Sequence, residues 1–222
     1  MNYDPNTKKA TGVTIIDAET NEEMIFNSKI VFLCASSFNS TWILMNSATN
    51  VWEGGLGSSS DALGKNLMDH HLGIGASGTV EGYEDKYTFG RRANGFYIPR
   101  FRNVQKQETD FLRGYAAGFG SSRNIAYDTS GFGDDLKASL NQRNYGNWQV
   151  GSHMMGETIP KESNYVALDK NLKDPFGIPQ LKIAIGYDEN DEKMIKDYHT
   201  QLTEMFKMAG FTNIKTFDSH QA

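Results

Sequence analysis

The residues with the most chemical potential in this sequence are Asp69-His70-His71, the pair Gln149 and His153, the lone Cys34, and the glycine-rich run Gly54-Gly55-Leu56-Gly57-Ser58-Ser59. Asp, His and His in a row could ligate a metal. On an extended chain, however, neighbouring side chains point to opposite faces, so both imidazoles rarely reach one ion. The next histidine, His153, is far along the chain, and no metal site is expected. The simpler expectation is that these residues hold a loop by hydrogen bonds. Gly54 to Ser59 follows a helical stretch rather than a strand, so it lacks the setting of a phosphate cradle and reads as a loop. No G-x-S-x-G elbow accompanies the many serines, so a hydrolase reading rests on scattered Ser and His only. Cys34 lies in an apolar run and reads as an inert core thiol. His199 falls on the polar face of a helical stretch, and His220 near the end of the sequence reads as exposed. Gln149 and His153 are different. Alternation places Gln149, Gly151 and His153 on one face of a strand and Trp148, Val150 and Ser152 on the other. An amide and an imidazole on one face can hydrogen-bond the hydroxyls of a sugar, although a solvated sheet face reads the same way.

The elements that would position these groups follow from periodicity. Asp4-Pro5-Asn6-Thr7 is a turn signal. Gly12 to Asp17 and Met24 to Phe26 read as a hairpin. Lys29 to Ala35 is a nearly unbroken apolar run, as in a strand buried on both faces of a parallel sheet. A helix is expected over Asn39 to Ala48, capped by Ser37 or Asn39. After a Gly/Ser-rich loop from Gly54 to Gly64 the character changes. Leu72 to Val80, Gly95 to Phe101, Leu112 to Gly118, Asn147 to Met155 and Tyr165 to Leu168 read as strands of an antiparallel sheet. Met194, Ile195, Tyr198, Leu202, Met205, Phe206 and Ala209 make one apolar stripe over Glu189 to Ala209. Asp188 is placed to cap that helix, Gly210 to end it, and Phe211 to Phe217 to follow as a strand.

Composition narrows the function classes. The 222 residues carry a net charge of -5 and no dense basic cluster, which disfavours nucleic acid and anionic membrane surfaces as partners. A single cysteine excludes an internal disulfide framework and a cysteine-based zinc site. No apolar run reaches the roughly 20 residues of a membrane span, so a soluble chain is expected, in bacterial cytoplasm or periplasm alike.

An ordered set of segments carries a family resemblance. Ser36-Ser37-Phe38-Asn39-Ser40-Thr41-Trp42-Ile43-Leu44-Met45-Asn46-Ser47 resembles the second signature of the glucose-methanol-choline (GMC) oxidoreductases, with Ser36, Ser37, Ser40, Ile43, Leu44 and Ser47 fitting. Thr41, Ala48, Thr49 and Asn50 depart from that pattern. Leu63-Gly64-Lys65-Asn66-Leu67-Met68-Asp69-His70 is similar to the segment that follows it in that family. Gly156-Glu157, Pro160, Asn164-x-Val166-x-Leu168-Asp169 and Asp174-x-x-Gly177-Ile178-Pro179 resemble its substrate domain.

The resemblance implies an α+β fold: an antiparallel sheet with helices on one face, plus a small strand–helix part of an α/β FAD-binding domain. Residues 1–72 are expected to belong to the FAD-binding domain and residues 73–222 to the substrate-binding domain. It implies FAD as cofactor of the complete enzyme, with Ser36, Ser37 and Asn66 on the cofactor side, and a sugar, sugar acid or alcohol as substrate. Gln149 and His153 are the candidates for facing it. Neither the family's G-x-G-x-x-G nor its catalytic histidine segment matches any position here. The chain is therefore expected to be an internal segment, inactive and free of FAD by itself, whose partner is the remainder of the same polypeptide. No catalytic residue is carried over. The alternative is a non-catalytic carbohydrate-binding or interaction domain. The run Ile30 to Ala35 speaks against it, because such a strand wants parallel neighbours. Left exposed, that edge would drive self-association.

Overall fold

The turn residues Asp4-Pro5-Asn6-Thr7 divide the first hairpin. The Asp4 carboxylate accepts from the Asn6 backbone N–H at 2.9 Å and the Thr7 hydroxyl at 2.8 Å. The computed structural model describes residues 1–86, 95–142 and 144–219. In it β1 (Asn2–Asp4), β2 (Lys9–Ile16) and β3 (Glu23–Asn27) form a three-stranded antiparallel sheet in the order β1-β2-β3. Helix α1 (Ser36–Met45) follows. A long loop then leads to β4 (Ile74–Val80), β5 (Gly95–Ile98), β6 (Tyr115–Ala126), α2 (Asp134–Asn141), β7 (Asn144–Gly156), β8 (Tyr165–Lys173), β9 (Pro179–Ala184), α3 (Glu189–Met208) and β10 (Thr212–Asp218). The architecture is α+β, with antiparallel strand pairing throughout the described sheets.

The chain divides into two units. The first comprises Met1–Met68 and Pro160–Gly186, the second Asp69–Ile159 and Tyr187–Ala222. In the first, the β8–β9 hairpin is tied to α1 and the loop behind it. The Trp42 indole donates to the Pro179 carbonyl at 2.6 Å, Val166 N–H to the Gly64 carbonyl at 2.7 Å, and Leu67 N–H to the Asn164 carbonyl at 2.9 Å. Gly64 has φ 79°, and a Cβ there would lie 2.3 Å from the Val166 carbonyl oxygen, so both conformation and close approach require glycine.

Two expectations for this unit are overturned. Residues 29–35 form no strand: Ile30 and Phe32 are 69% and 83% exposed and Cys34 is exposed too. The described residues provide no strand beside this run, so its backbone has no ladder to join and its apolar side chains no sheet to bury against. Cys34 is thus no core thiol. Helix α1 also starts earlier than its pattern suggests. Its N-cap is Ala35, which makes no side-chain cap, so Ser37 and Asn39 lie inside the helix.

In the second unit five antiparallel strands run in the order β10-β4-β7-β6-β5. The 20-residue α3 lies on one face. Ile74, Ala76, Tyr115, Ala117, Phe119, Val150 and Met154 from the strands pack with Met194, Tyr198, Leu202 and Phe206 from the helix. Each large side chain buried there contributes about 1.5–3 kcal/mol. Asp188 caps α3 in a reciprocal box: its carboxylate accepts from Asn190 and Asp191 N–H, and Asp191 accepts from the Asp188 backbone at 2.9 Å. Gly210 ends the helix at φ 77°. Asp197, on the flank of α3, accepts the Tyr115 hydroxyl at 2.6 Å and a two-pronged contact from Arg102 at 2.8 and 2.9 Å.

Candidate functional site

Strand β7 is the middle of the sheet, and its alternation sets the site. Trp148, Val150, Ser152 and Met154 are buried on the α3 side, while Gln149 and His153 are exposed on the other. Tyr198 donates its hydroxyl to Ser152 at 3.1 Å, which fixes that face as the inner one.

Register then builds the open face rung by rung. Gln149 pairs with Thr79 on β4 and Ser122 on β6, Gly151 with Ser77 and Gly120, and His153 with Gly75 and Gly118. The last rung runs outward to Tyr97 on β5 and Phe217 on β10. Glycines seat its rings: a Cβ on Gly118 would lie 2.3 Å from the His153 ring, and one on Gly75 2.3 Å from the Phe217 ring. The result is an open groove of about 600 Å3 with Gln149 and His153 along it, Ser77 and Ser122 beside them, and Gly120 and Gly151 in its floor.

The side chains that line this groove carry no formal charge when His153 is neutral. The Thr79 hydroxyl donates to Gln149 Oε1 at 3.3 Å, which leaves the amide NH2 to donate outward. His153 offers a donor or acceptor nitrogen, and Ser77 and Ser122 offer both roles. This set matches neutral hydroxylated molecules. Gln149 and His153 share the face that alternation placed them on. Ser77 and Ser122 were not singled out from the sequence. Alternation within each strand puts them on some outer face, but only the pairing register brings them beside Gln149.

The histidine pair is split, as the geometry of adjacent residues requires. His71 is fully buried with its Nε2 3.1 Å from Asp191 Oδ1, and its ring lies 5.3 Å from that of Tyr187. His70 makes an antiparallel bridge to Glu157. Asp69 N–H donates to the Thr158 hydroxyl at 3.1 Å, and that hydroxyl donates to the Asp69 carbonyl at 2.8 Å. The segment is held as a loop, as expected. Among the described residues no three His, Cys, Asp or Glu converge as a metal site.

A second hollow of about 870 Å3 runs between α3 and β10, with Glu192, Lys196, His199 and Asp218 on its walls. His199 Nε2 lies 3.2 Å from the Phe217 carbonyl, and the residue is half-buried rather than on a fully solvated face. Packing of β10 against α3 causes the difference. His220 lies outside the described residues.

The residues expected near a cofactor lie in the first unit. Ser36 and Ser37 are exposed at the start of α1, Ser36 with φ 65°. That helix N-terminus has no side-chain cap and no acidic residue in its first turn, so its backbone N–H groups and two hydroxyls suit an electron-rich group. Asn66 is exposed in a separate turn, with φ 57°.

Residues 2–72 match the family model described as GMC oxidoreductase. The chain is 33% identical over 197 residues to a 2-methyl-1,2-propanediol dehydrogenase of Mycolicibacterium austroafricanum, covering 82% of this chain and 34% of that protein. It is 24% identical over 216 residues to a fructose dehydrogenase large subunit of Gluconobacter japonicus, covering 93% of this chain and 38% of that one. The chain thus spans roughly a third of the length of these relatives.

Proposed function

Since the chain belongs to the GMC oxidoreductase family, we propose that it supplies the substrate-recognition sheet, and part of the cofactor side, of an FAD-dependent enzyme that oxidises a CH–OH group of a sugar or alcohol. Fructose and 2-methyl-1,2-propanediol are the two substrate types that the names of its relatives suggest. Residues 1–72 are assigned to the FAD side and residues 73–222 to the substrate side.

The observation that carries the reading is the groove itself. Gln149 and His153 stand on one open face, flanked by serine hydroxyls and without a formal charge. In water such groups gain little from one hydroxyl, but several aligned donors and acceptors fix a polyol in one orientation. Gln149 and His153 hold hydroxyls of the substrate and so choose which carbon is presented. They are binding residues. The base that receives the hydroxyl proton is not assigned within these 222 residues.

Ser36 and Ser37 fit the cofactor side through their exposed hydroxyls and the uncapped N–H groups of α1, and Asn66 through its exposed amide. When bound, FAD supplies the acceptor for the hydride leaving the carbinol carbon. A second reading, non-catalytic carbohydrate binding, has in its favour that the groove is formed wholly within the second unit.

Titration of the chain with FAD, followed by flavin fluorescence alongside an alcohol-oxidation assay, tests the proposal. The expected result is neither stoichiometric binding nor turnover by these residues alone, and both in the polypeptide extended at each end. Tight FAD binding with turnover by the 222 residues would contradict the assigned division of labour. Sugar binding by the chain, with no flavin activity in the extended polypeptide, would favour the second reading.

A further inference from the structure

The glycines of the sheet differ in what surrounds them. Gly75, Gly78, Gly118 and Gly156 are held by packing: a Cβ at each would lie 2.3 Å from the Phe217 ring, 3.1 Å from the Phe211 ring, 2.3 Å from the His153 ring and 2.5 Å from the His71 ring, respectively. Gly151 has no such reason. It sits in the interior of the 13-residue β7, and nothing lies within 4 Å of where its Cβ would be. Its φ is outside the left-handed region. Glycine in a strand interior weakens the strand and gives its neighbours nothing to pack on. Here neither conformation nor crowding calls for it.

The space above Gly151 is the groove between Gln149 and His153, with Ser77 and Gly120 on either side in the same rung. We infer that Gly151 is a specificity-determining residue: its missing side chain keeps the floor of the groove flat and deep enough for a ring-sized neutral polyol, a monosaccharide, to lie across it. Hydroxyls at the edge of such a ring meet Gln149, His153, Ser77 and Ser122. A side chain at position 151 would stand where the ring lies, while leaving room for a short acyclic diol at the rim. This inference rests on the reading of the groove as the substrate face.

The test is Gly151→Leu in the isotope-labelled chain, titrated by NMR with D-fructose and, separately, with 2-methyl-1,2-propanediol. In the wild type, D-fructose is expected to shift the amide resonances of Ser77, Gln149, Gly151 and His153. In the variant D-fructose affinity is expected to fall about tenfold or more, from the overpacking of one large side chain, while diol affinity stays within about twofold. Its Tm is expected to equal or exceed that of the wild type, because a side chain replaces a strand glycine in open space. A wild type whose groove amides do not respond to D-fructose would overturn the groove reading, and this inference with it. Equal D-fructose affinity in wild type and variant would overturn the role of Gly151 and leave the groove reading intact. Should the leucine variant fail to fold, Gly151→Ala adds one methyl group. It is expected to weaken D-fructose about twofold to fourfold, and no weakening would overturn the inference.

Discussion

Asp197 shows how one residue ties three segments together. It accepts the Tyr115 hydroxyl from β6 and both prongs of Arg102 from the loop before it, all from a position on α3 that is about one-fifth exposed. Asp197→Ala leaves a buried phenol and a half-shielded guanidinium without their acceptor. It is expected to cost about 2 kcal/mol in urea unfolding, while Asp197→Asn, which keeps an acceptor oxygen, costs less. None of this triad was legible in the sequence, because its members are up to 95 residues apart. The shared face of Gln149 and His153 was legible because alternation is local to one strand. Cys34 was misread for the converse reason. Its run has the composition of a buried strand, but burial depends on neighbouring strands, which composition does not reveal.

At the scale of elements, α3 was the most readable because three local signals agree. These are an apolar stripe, a capping aspartate before an acidic first turn, and a glycine at its end. Asp188→Ala removes the acceptor for Asn190 and Asp191 N–H, and is expected to destabilise the second unit by about 1 kcal/mol, read as a shift in urea midpoint without a change in slope. The short α2 was missed, since its eight residues bury nothing and so carry no core-facing stripe. Strand β9 was missed as a strand because it starts at Pro179, next to a turn, and is stabilised by its hairpin partner β8 rather than by its own pattern. The start of α1 shifted because Ser37 and Asn39 are favourable caps, yet the helix begins before them without using either.

At the scale of the whole chain, the core of the second unit and the proposed substrate groove lie on opposite faces of one sheet. Two phenols buried at its inner face, Tyr115 on β6 and Tyr198 on α3, respond to alkaline pH. Burial, with the Ser152 contact opposing it, pushes Tyr198 from its ordinary value of 10.0 up to about 12. Burial first, and then the Asp197 carboxylate, pushes Tyr115 upward as well. A raised folded-state value means stability that is complete below the unfolded value and lost as pH climbs through the folded one. The urea midpoint is therefore expected to fall as pH rises from about 10 towards 12, and Tyr198→Phe to blunt that fall. The fold class was legible because α3 and most strands of the larger sheet announce themselves locally. The shape of the groove was not, because it depends on which residues of β4, β6 and β7 share a rung.

The groove on the outer face is the proposed seat of substrate recognition. The most direct measurement is the rate of flavin reduction by D-fructose and by 2-methyl-1,2-propanediol in the FAD-loaded enzyme that carries this chain, comparing wild type with Gln149→Ala and His153→Ala. If Gln149 and His153 bind substrate, both variants keep the wild-type flavin absorbance and lose about tenfold to a hundredfold in kcat/KM for the better substrate, mainly in KM, as expected when a group that binds substrate is removed. Wild-type kcat/KM in both variants would contradict that role.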